Sequence, residues 1–275
     1  MPFTPSHAVV ALPFLRTPLI PAAIAVGAMA PDLPLFVRAP IFGYARTHDL
    51  AWLPATTVLA LILLLVWRCV LRPATRELSP RWLAARLPAG WDVGTAGAAR
   101  ETFAIRTDER PDGVRRSRVS WTGMLLLLAS LALGVASHIL WDLFTHKGRW
   151  GADVFPPLAQ QWGPLAGYKW LQHGSSVIGL AIIGIWALLW LRRRGGAASV
   201  PRLVPSWLRW GWWLSLPVLL AGAWVLGLAT WGSFDAQFTP AHLGYRVLPQ
   251  ACALWGALTV AFAIGIQIAR GRARA

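Results

Sequence analysis

The sequence predicts an all-α fold: a polytopic integral membrane helical bundle of about five transmembrane helices plus an N-terminal re-entrant helical hairpin. Three observations predict it. Apolar residues fill 56% of the 275 positions and charged residues only 13%, against about 25% charged in ordinary soluble domains. Several apolar runs approach or exceed the roughly 20 residues that cross a hydrocarbon layer. The 26 Lys and Arg residues outnumber the 11 Asp and Glu, and they gather in connections and the tail, where cations fix orientation by staying in the cytoplasm. The basic balance is thus a matter of topology, and nucleic acid is not an expected partner. One membrane domain is expected over residues 1–275, with a polar cytoplasmic loop, 72–120, inside it. Cys69 and Cys252 lie within apolar runs and read as small buried side chains, supplying neither a disulfide framework nor a Cys-rich metal site.

The opening Met1-Pro2-Phe3-Thr4-Pro5-Ser6-His7 lacks the basic start of a secretory signal, so no cleavage is expected there. Thr4 or Ser6 can cap a helix beginning near His7. The apolar stretch from Ala8 to Ala30 is interrupted by Pro13, Arg16, Pro18 and Pro21, and each interior proline removes a backbone hydrogen bond. Two short helices in a re-entrant hairpin fit this better than one span, provided that other helices cover them. A hairpin puts His7 and Asp32 on one side of the membrane; a full span would separate them. Asp32, between Pro31 and Pro34, is either a turn residue or a ligand. His48 and Asp49 precede the first long span, about Leu50 to Trp67. Asp49 suits the positive end of that helix, and His48 is a ligand or an interfacial residue.

Residues 72–120 hold ten arginines and six acidic residues with scattered Pro and Gly; without an amphipathic period they read as a small irregular domain or a partly disordered segment. The remaining spans are expected at about Trp121–Phe144, Val177–Leu191, Trp210–Trp231 and Val247–Ile268. Arg192-Arg193-Arg194 and the tail Arg270 to Arg274 mark the cytoplasmic side, and many of the 18 tryptophans fall near span ends as an aromatic belt. This topology gathers His48, His138, His146, His173 and His242 on the opposite, non-cytoplasmic face.

The chemistry centres on Ser137-His138-Ile139-Leu140-Trp141-Asp142-Leu143-Phe144-Thr145-His146. A helix turns about 100° per residue, so positions four apart drift by only about 40° per step and His138, Asp142 and His146 share one face. His138 and Asp142, about 6 Å apart along the axis, can grip one ion; His146, about 12 Å from His138, serves a second ion or reaches back where the helix ends near Gly148. Such groups at a membrane helix end need compensation, and a cation supplies it. Mixed His and Asp ligation without cysteine suits a divalent metal, first zinc, with manganese or iron as alternatives. More than four candidate ligands would permit two ions. Asp235 and His242 have no partner at helical spacing and read as structural or substrate-facing.

The opening residues 1–8, Gly27-Ala28-Met29-Ala30-Pro31-Asp32, Ser137 through His146, and Leu171-Gln172-His173-Gly174-Ser175-Ser176 together resemble the bacterial membrane family called domain of unknown function 4184. That family is similar to the YdjM-like membrane-bound metal-dependent hydrolases and, more distantly, to the zinc-dependent phospholipase C and nuclease group. The resemblance implies a multi-pass protein of the bacterial cytoplasmic (inner) membrane. It also implies metal ligation by His7, Asp32, His138, Asp142, His146 and His173, with His48 less secure.

No serine-nucleophile motif, phosphate-binding loop or dinucleotide fingerprint is present, so water activated by a metal is the expected catalytic route. A site on the external face beside the headgroups suits a lipid, or another small-molecule phosphoester, as substrate. The alternative is a non-enzymatic metal-binding or transport protein. Transporters favour ligands at the bilayer midplane and internal repeats, and neither is evident here.

Overall fold

The computed structural model describes residues 3–37, 41–109, 115–197 and 199–273. Among them, five helices are long and apolar enough to cross a membrane: Leu50–Leu78, Trp121–Thr145, Gly167–Arg192, Ser206–Trp231 and Pro240–Arg272. The protein is an all-α polytopic bundle, and its only strands among the described residues are two small antiparallel pairs, Ile105–Glu109 with Arg115–Val119 and Gln161–Trp162 with Leu165–Ala166. The chain divides into two compact units.

The first unit comprises Met1–Pro34, Ala39–Leu65 and Ala99–Arg194. It opens with a 3-10 helix, Thr4–Phe14, which contains Pro13. A turn leads into α1 (Pro21–Met29), which continues as a second 3-10 segment, Ala30–Leu35, around Asp32 and Pro34. The two arms pack on each other and on the long helices α2 (Leu53–Leu65), α3 (Trp121–Thr145) and α4 (Gly167–Arg192). At the hairpin's turn, Ile20 N donates to Ser130 Oγ at 2.9 Å. Ser130 lies 15 residues before the end of α3, so the hairpin dips about 22 Å along that helix before returning. The proline-rich turn thus has a backbone donor satisfied by a side chain, as non-helical backbone at membrane depth requires.

The closest helix crossing sets the geometry of everything above it. Gly27 on α1 and Gly134 on α3 face each other, and a methyl group on either would overlap the backbone of the other helix, at Leu131 O or Ile24 O. Small residues at membrane-helix crossings permit this close backbone approach. Ala23, Ile24, Ala28, Leu131 and Val135 close the seam around the glycines with no exposure.

The second unit comprises Leu35–Arg38, Val66–Ala98 and Gly195–Ala275. Here the first span exceeds the expected end at Trp67: it runs as a π-helical turn over Val66–Leu71 and then as an α-helical turn over Arg72–Leu78. The wider turn leaves the carbonyls of Cys69 and Val70 to accept from Gln267 Nε2 at 3.0 and 3.1 Å. Charge does not end the helix because it is neutralised internally. Glu77, fully buried, accepts from Arg270 Nη2 at 3.1 Å and from the backbone N–H groups of Leu203 and Val204 at 3.0 Å each. Arg76 donates to Ala84 O and pairs with Asp92. Helices α5 (Ser206–Trp231) and α6 (Pro240–Arg272) pack together, joined by hydrogen bonds from Trp212 to Thr259 and from Trp255 to Ser215. The segment expected to be irregular is divided between the two units: it holds short helices, Arg81–Ala84 and Gly94–Thr102, and, within the first unit, one of the strand pairs.

Candidate metal centre

Four polar atoms converge within the first unit: Nε2 of His48 and His138, Oδ1 of Asp32 and Oδ2 of Asp142. Their measured separations are 3.2 Å between the two histidines, 3.5 and 3.4 Å from His48 to Asp32 and Asp142, and 3.7 and 3.6 Å from His138 to the same carboxylates. Neighbouring N and O ligands about 2.0–2.1 Å from a zinc ion lie about 3.3–3.4 Å apart, the spacing that these five separations approach. The side chains are nearly inaccessible: His138 is 0% exposed, Asp32 1%, His48 4% and Asp142 4%.

Each group is held by a partner outside the convergence point. His138 Nδ1 lies 2.7 Å from Ala28 O, and His48 Nδ1 lies 2.9 Å from Tyr44 O. A carbonyl only accepts, so both Nδ1 atoms carry the hydrogen and both Nε2 atoms turn toward the centre, the usual way that a ligating histidine is oriented. Asp32 accepts from Thr4 Oγ1 at 2.6 Å through Oδ2. Asp142 accepts from Thr145 Oγ1 at 3.4 Å through Oδ1. One oxygen of each carboxylate is thereby left to the centre, and these two, Asp32 Oδ1 and Asp142 Oδ2, are buried without a hydrogen-bond partner. Thr47 Oγ1 donates to Pro31 O at 2.7 Å, tying the segment that carries His48 to the one that carries Asp32.

Two carboxylate oxygens and two imidazole nitrogens meeting without a donor among them require something positive in their midst. The groups Asp32–His48–His138 and His7–His138–Asp142 each place one ligand atom per residue within 4.8 Å of the others, so these buried His and Asp residues could hold a metal ion. Where no ion is held, a proton takes the role: burial opposes charge on His48, but Asp142 and Asp32 outweigh it and push the pKa up to about 9.

The hairpin brings His7 and Asp32 to the same place. His7 stacks on His138 with ring centroids 4.0 Å apart, and its buried Nε2 has no hydrogen-bond partner. His146 reaches back. Helix α3 ends at Thr145, His146 adopts an extended backbone (φ −127°, ψ 142°), and its Nδ1 lies 3.2 Å from Asp142 O and 3.5 Å from Asp142 Oδ2. Burial holds its pKa below the ordinary value. Asp49 is exposed and caps the following turn through Ala51 N at 2.9 Å. His173 is exposed on α4 and is not brought to the cluster. Its neighbour Gln172, fully buried, turns inward, with Nε2 3.4 Å from His146 Nε2 and Oε1 accepting from Lys169 Nζ at 2.9 Å. Gln172 was not singled out by sequence; the Lys169–Gln172 spacing of three, which puts both on one face, was the available signal. His242 caps α6 by pairing with Thr239.

Beside His7 lies an apolar cavity of about 870 Å³, walled by Val9, Val10 and Pro13 of the hairpin, Trp141 of α3 and Ile178 and Ile182 of α4. Ser6, His7, Ser137 and Ser175 line it as well.

Among family models, the one described as domain of unknown function (DUF4184) matches residues 1–264. No curated protein and no solved structure matches the chain.

Proposed function

From the premise that the chain belongs to the DUF4184 family, we propose that it is a metal-dependent hydrolase of the bacterial cytoplasmic membrane, acting on a lipid or lipid-linked phosphoester at the non-cytoplasmic face. The observation that carries the reading is the position of His7, which belongs to the buried His/Asp group and also lines the apolar cavity. A substrate lying in that cavity with its apolar part against Val9, Val10 and Ile178 has its polar end at His7. Pockets that bind small molecules share this pattern of apolar walls with a few convergent polar groups.

In this scheme His48, His138, Asp32 and Asp142 hold one divalent ion, zinc by donor type and spacing, with manganese or iron as alternatives. When bound, the ion supplies a Lewis acid for a phosphoryl or acyl oxygen and makes hydroxide available near neutral pH. Ala28 and Tyr44 fix the histidine tautomers, Thr4 and Thr145 orient the carboxylates, and His146 with Gln172 steadies Asp142. His7, which lines the cavity and whose buried Nε2 has no hydrogen-bond partner, is placed to accept or donate a proton at the substrate.

A second reading has one specific observation in its favour. Two histidines and two aspartates stand close enough to serve as four protein ligands, the number that structural zinc sites use, which suits a non-enzymatic metal-binding role. The two readings are separated by assaying purified protein on phosphodiester and glycerophospholipid substrates in mixed micelles, wild type beside His7→Ala and Asp142→Asn. Hydrolysis lost in Asp142→Asn together with the metal, and reduced in His7→Ala with the metal retained, supports the hydrolase. Full metal occupancy with no turnover on any lipid substrate supports the structural role.

A further inference from the structure

We propose that the second unit carries a binding site for the phosphate headgroup of an anionic membrane lipid, built by Arg81, Arg202 and Arg209 where α5 begins. The three guanidinium groups line one cavity of about 760 Å³ together with Trp82, Ser199 and Ser206. No carboxylate stands within ion-pair reach of any of the three among the described residues. Glu77, the acid that acts on Arg202, is engaged by Arg270 and by the N–H groups of Leu203 and Val204. Arg202 Nη2 is buried and without a hydrogen-bond partner, while Arg209 Nη1 is fixed on Val204 O. Burial first, then Arg209 and Arg81, depress the pKa of Arg202 against the opposing pull of Glu77.

The walls are built rather than incidental. The segment that carries Arg202 is pinned by the two N–H bonds to Glu77 and by Ala197 N donating to Ala85 O at 2.9 Å. The first turn of the 26-residue α5 has no side-chain cap at Pro205, so its free N–H groups add to the positive field.

The occupant is identified as a lipid by what adjoins the arginines. A second cavity of about 460 Å³ shares Arg81, Arg202, Ser206 and Arg209 and continues along Trp210, Trp213 and Leu78. Trp213 is fixed by its Nε1–H donating to Leu78 O at 2.9 Å, and Trp207 and Trp210 are exposed at 69% and 67%. Tryptophan at a span end marks the headgroup level, and basic pockets between membrane helices are the geometry that holds anionic lipid headgroups. A phosphate sits at the arginines and the glycerol with its acyl carbons continues along the indoles; a soluble anion would leave the aromatic half empty.

The test uses the full chain, delipidated in neutral detergent and titrated with phosphatidylglycerol, phosphatidylcholine and soluble glycerol 3-phosphate, read by native mass spectrometry. Phosphatidylglycerol binds and phosphatidylcholine does not, and Arg81→Gln with Arg202→Gln weakens the lipid by about 30-fold, while the paired lysine replacements restore most of it. If the double variant does not fold, the exposed Arg81→Gln alone weakens binding by about fivefold. Equal binding of both lipids, or unchanged binding in the variants, overturns the site. Glycerol 3-phosphate binding as tightly as the lipid overturns the lipid assignment in favour of a soluble phosphate.

Discussion

At the scale of single residues, the candidate centre is an arrangement of acceptors. His138 and His48 each commit Nδ1 to a backbone carbonyl, and Asp32 and Asp142 each commit one oxygen to a threonine, so the four remaining atoms face one point. His48, with its pKa raised from 6.5 to about 9, keeps its proton in the metal-free protein at neutral pH. The sign follows: its ion pairs stabilise the metal-free fold fully below about 6.5 and that contribution is lost as the pH rises through about 9. An entering ion must expel the proton, so metal affinity rises with pH up to about 9, by as much as tenfold per unit. Chelator-competition titrations at successive pH values will show this slope, and a pH-independent affinity would contradict it. His146 stands beside Asp142, its Nδ1 3.5 Å from Oδ2. His146→Ala and Gln172→Ala are expected to weaken metal binding by about 10- to 100-fold, as for other groups that orient ligands, where Asp142→Ala abolishes it.

At the scale of elements, the site depends on how closely α1 and α3 cross. The Gly27–Gly134 contact puts Ala28 O within reach of His138 and fixes the height of Asp32 against Asp142. Gly134→Leu forces the helices apart; it is expected to destabilise the fold by about 1–3 kcal/mol and to lower metal occupancy with every ligand still present. Thermal unfolding beside metal content will check both. Much of this level was legible in the sequence. The prolines between Pro13 and Pro21 pointed to a hairpin, and the four-residue spacing of His138, Asp142 and His146 gave a common face. What was not legible depends on contacts distant in sequence. His48 stood as either ligand or interfacial residue because nothing local shows that Thr47 is tied to Pro31. His173 and Gln172 differ by one residue, which is about 100° of helix rotation, and only the packing of α4 decides which faces inward. The first span was expected to end at about Trp67 and a polar loop to begin at residue 72, whereas the helix runs on to Leu78 with Arg68, Arg72 and Arg76 buried.

At the scale of the whole molecule, the chain forms two compact units. The first holds the hairpin, the His/Asp cluster and the apolar cavity; the second holds a buried charge network around Glu77 and the arginine-lined cavity. Glu77→Gln removes the buried carboxylate that Arg270 Nη2 meets at 3.1 Å, leaving Asp92 Oδ1 at 3.6 Å as its remaining acid, and is expected to cost about 3 kcal/mol, the range for breaking a buried pair, read as a lower thermal midpoint. Topology is tested within the first unit. Gln160 and Arg193 flank the 26-residue α4, whose ends lie about 39 Å apart, so Gln160→Cys and Arg193→Cys are labelled by an impermeant thiol reagent from opposite sides. Labelling of both from one side would contradict a membrane-crossing α4.

The central claim, that His48, His138, Asp32 and Asp142 hold a metal ion, is tested most directly by elemental analysis of detergent-purified protein, with His138→Ala and Asp142→Ala alongside. About one zinc per chain in the wild type and none in either folded variant is the predicted result. Well-folded wild-type protein that takes up no zinc, manganese or iron on reconstitution would contradict it.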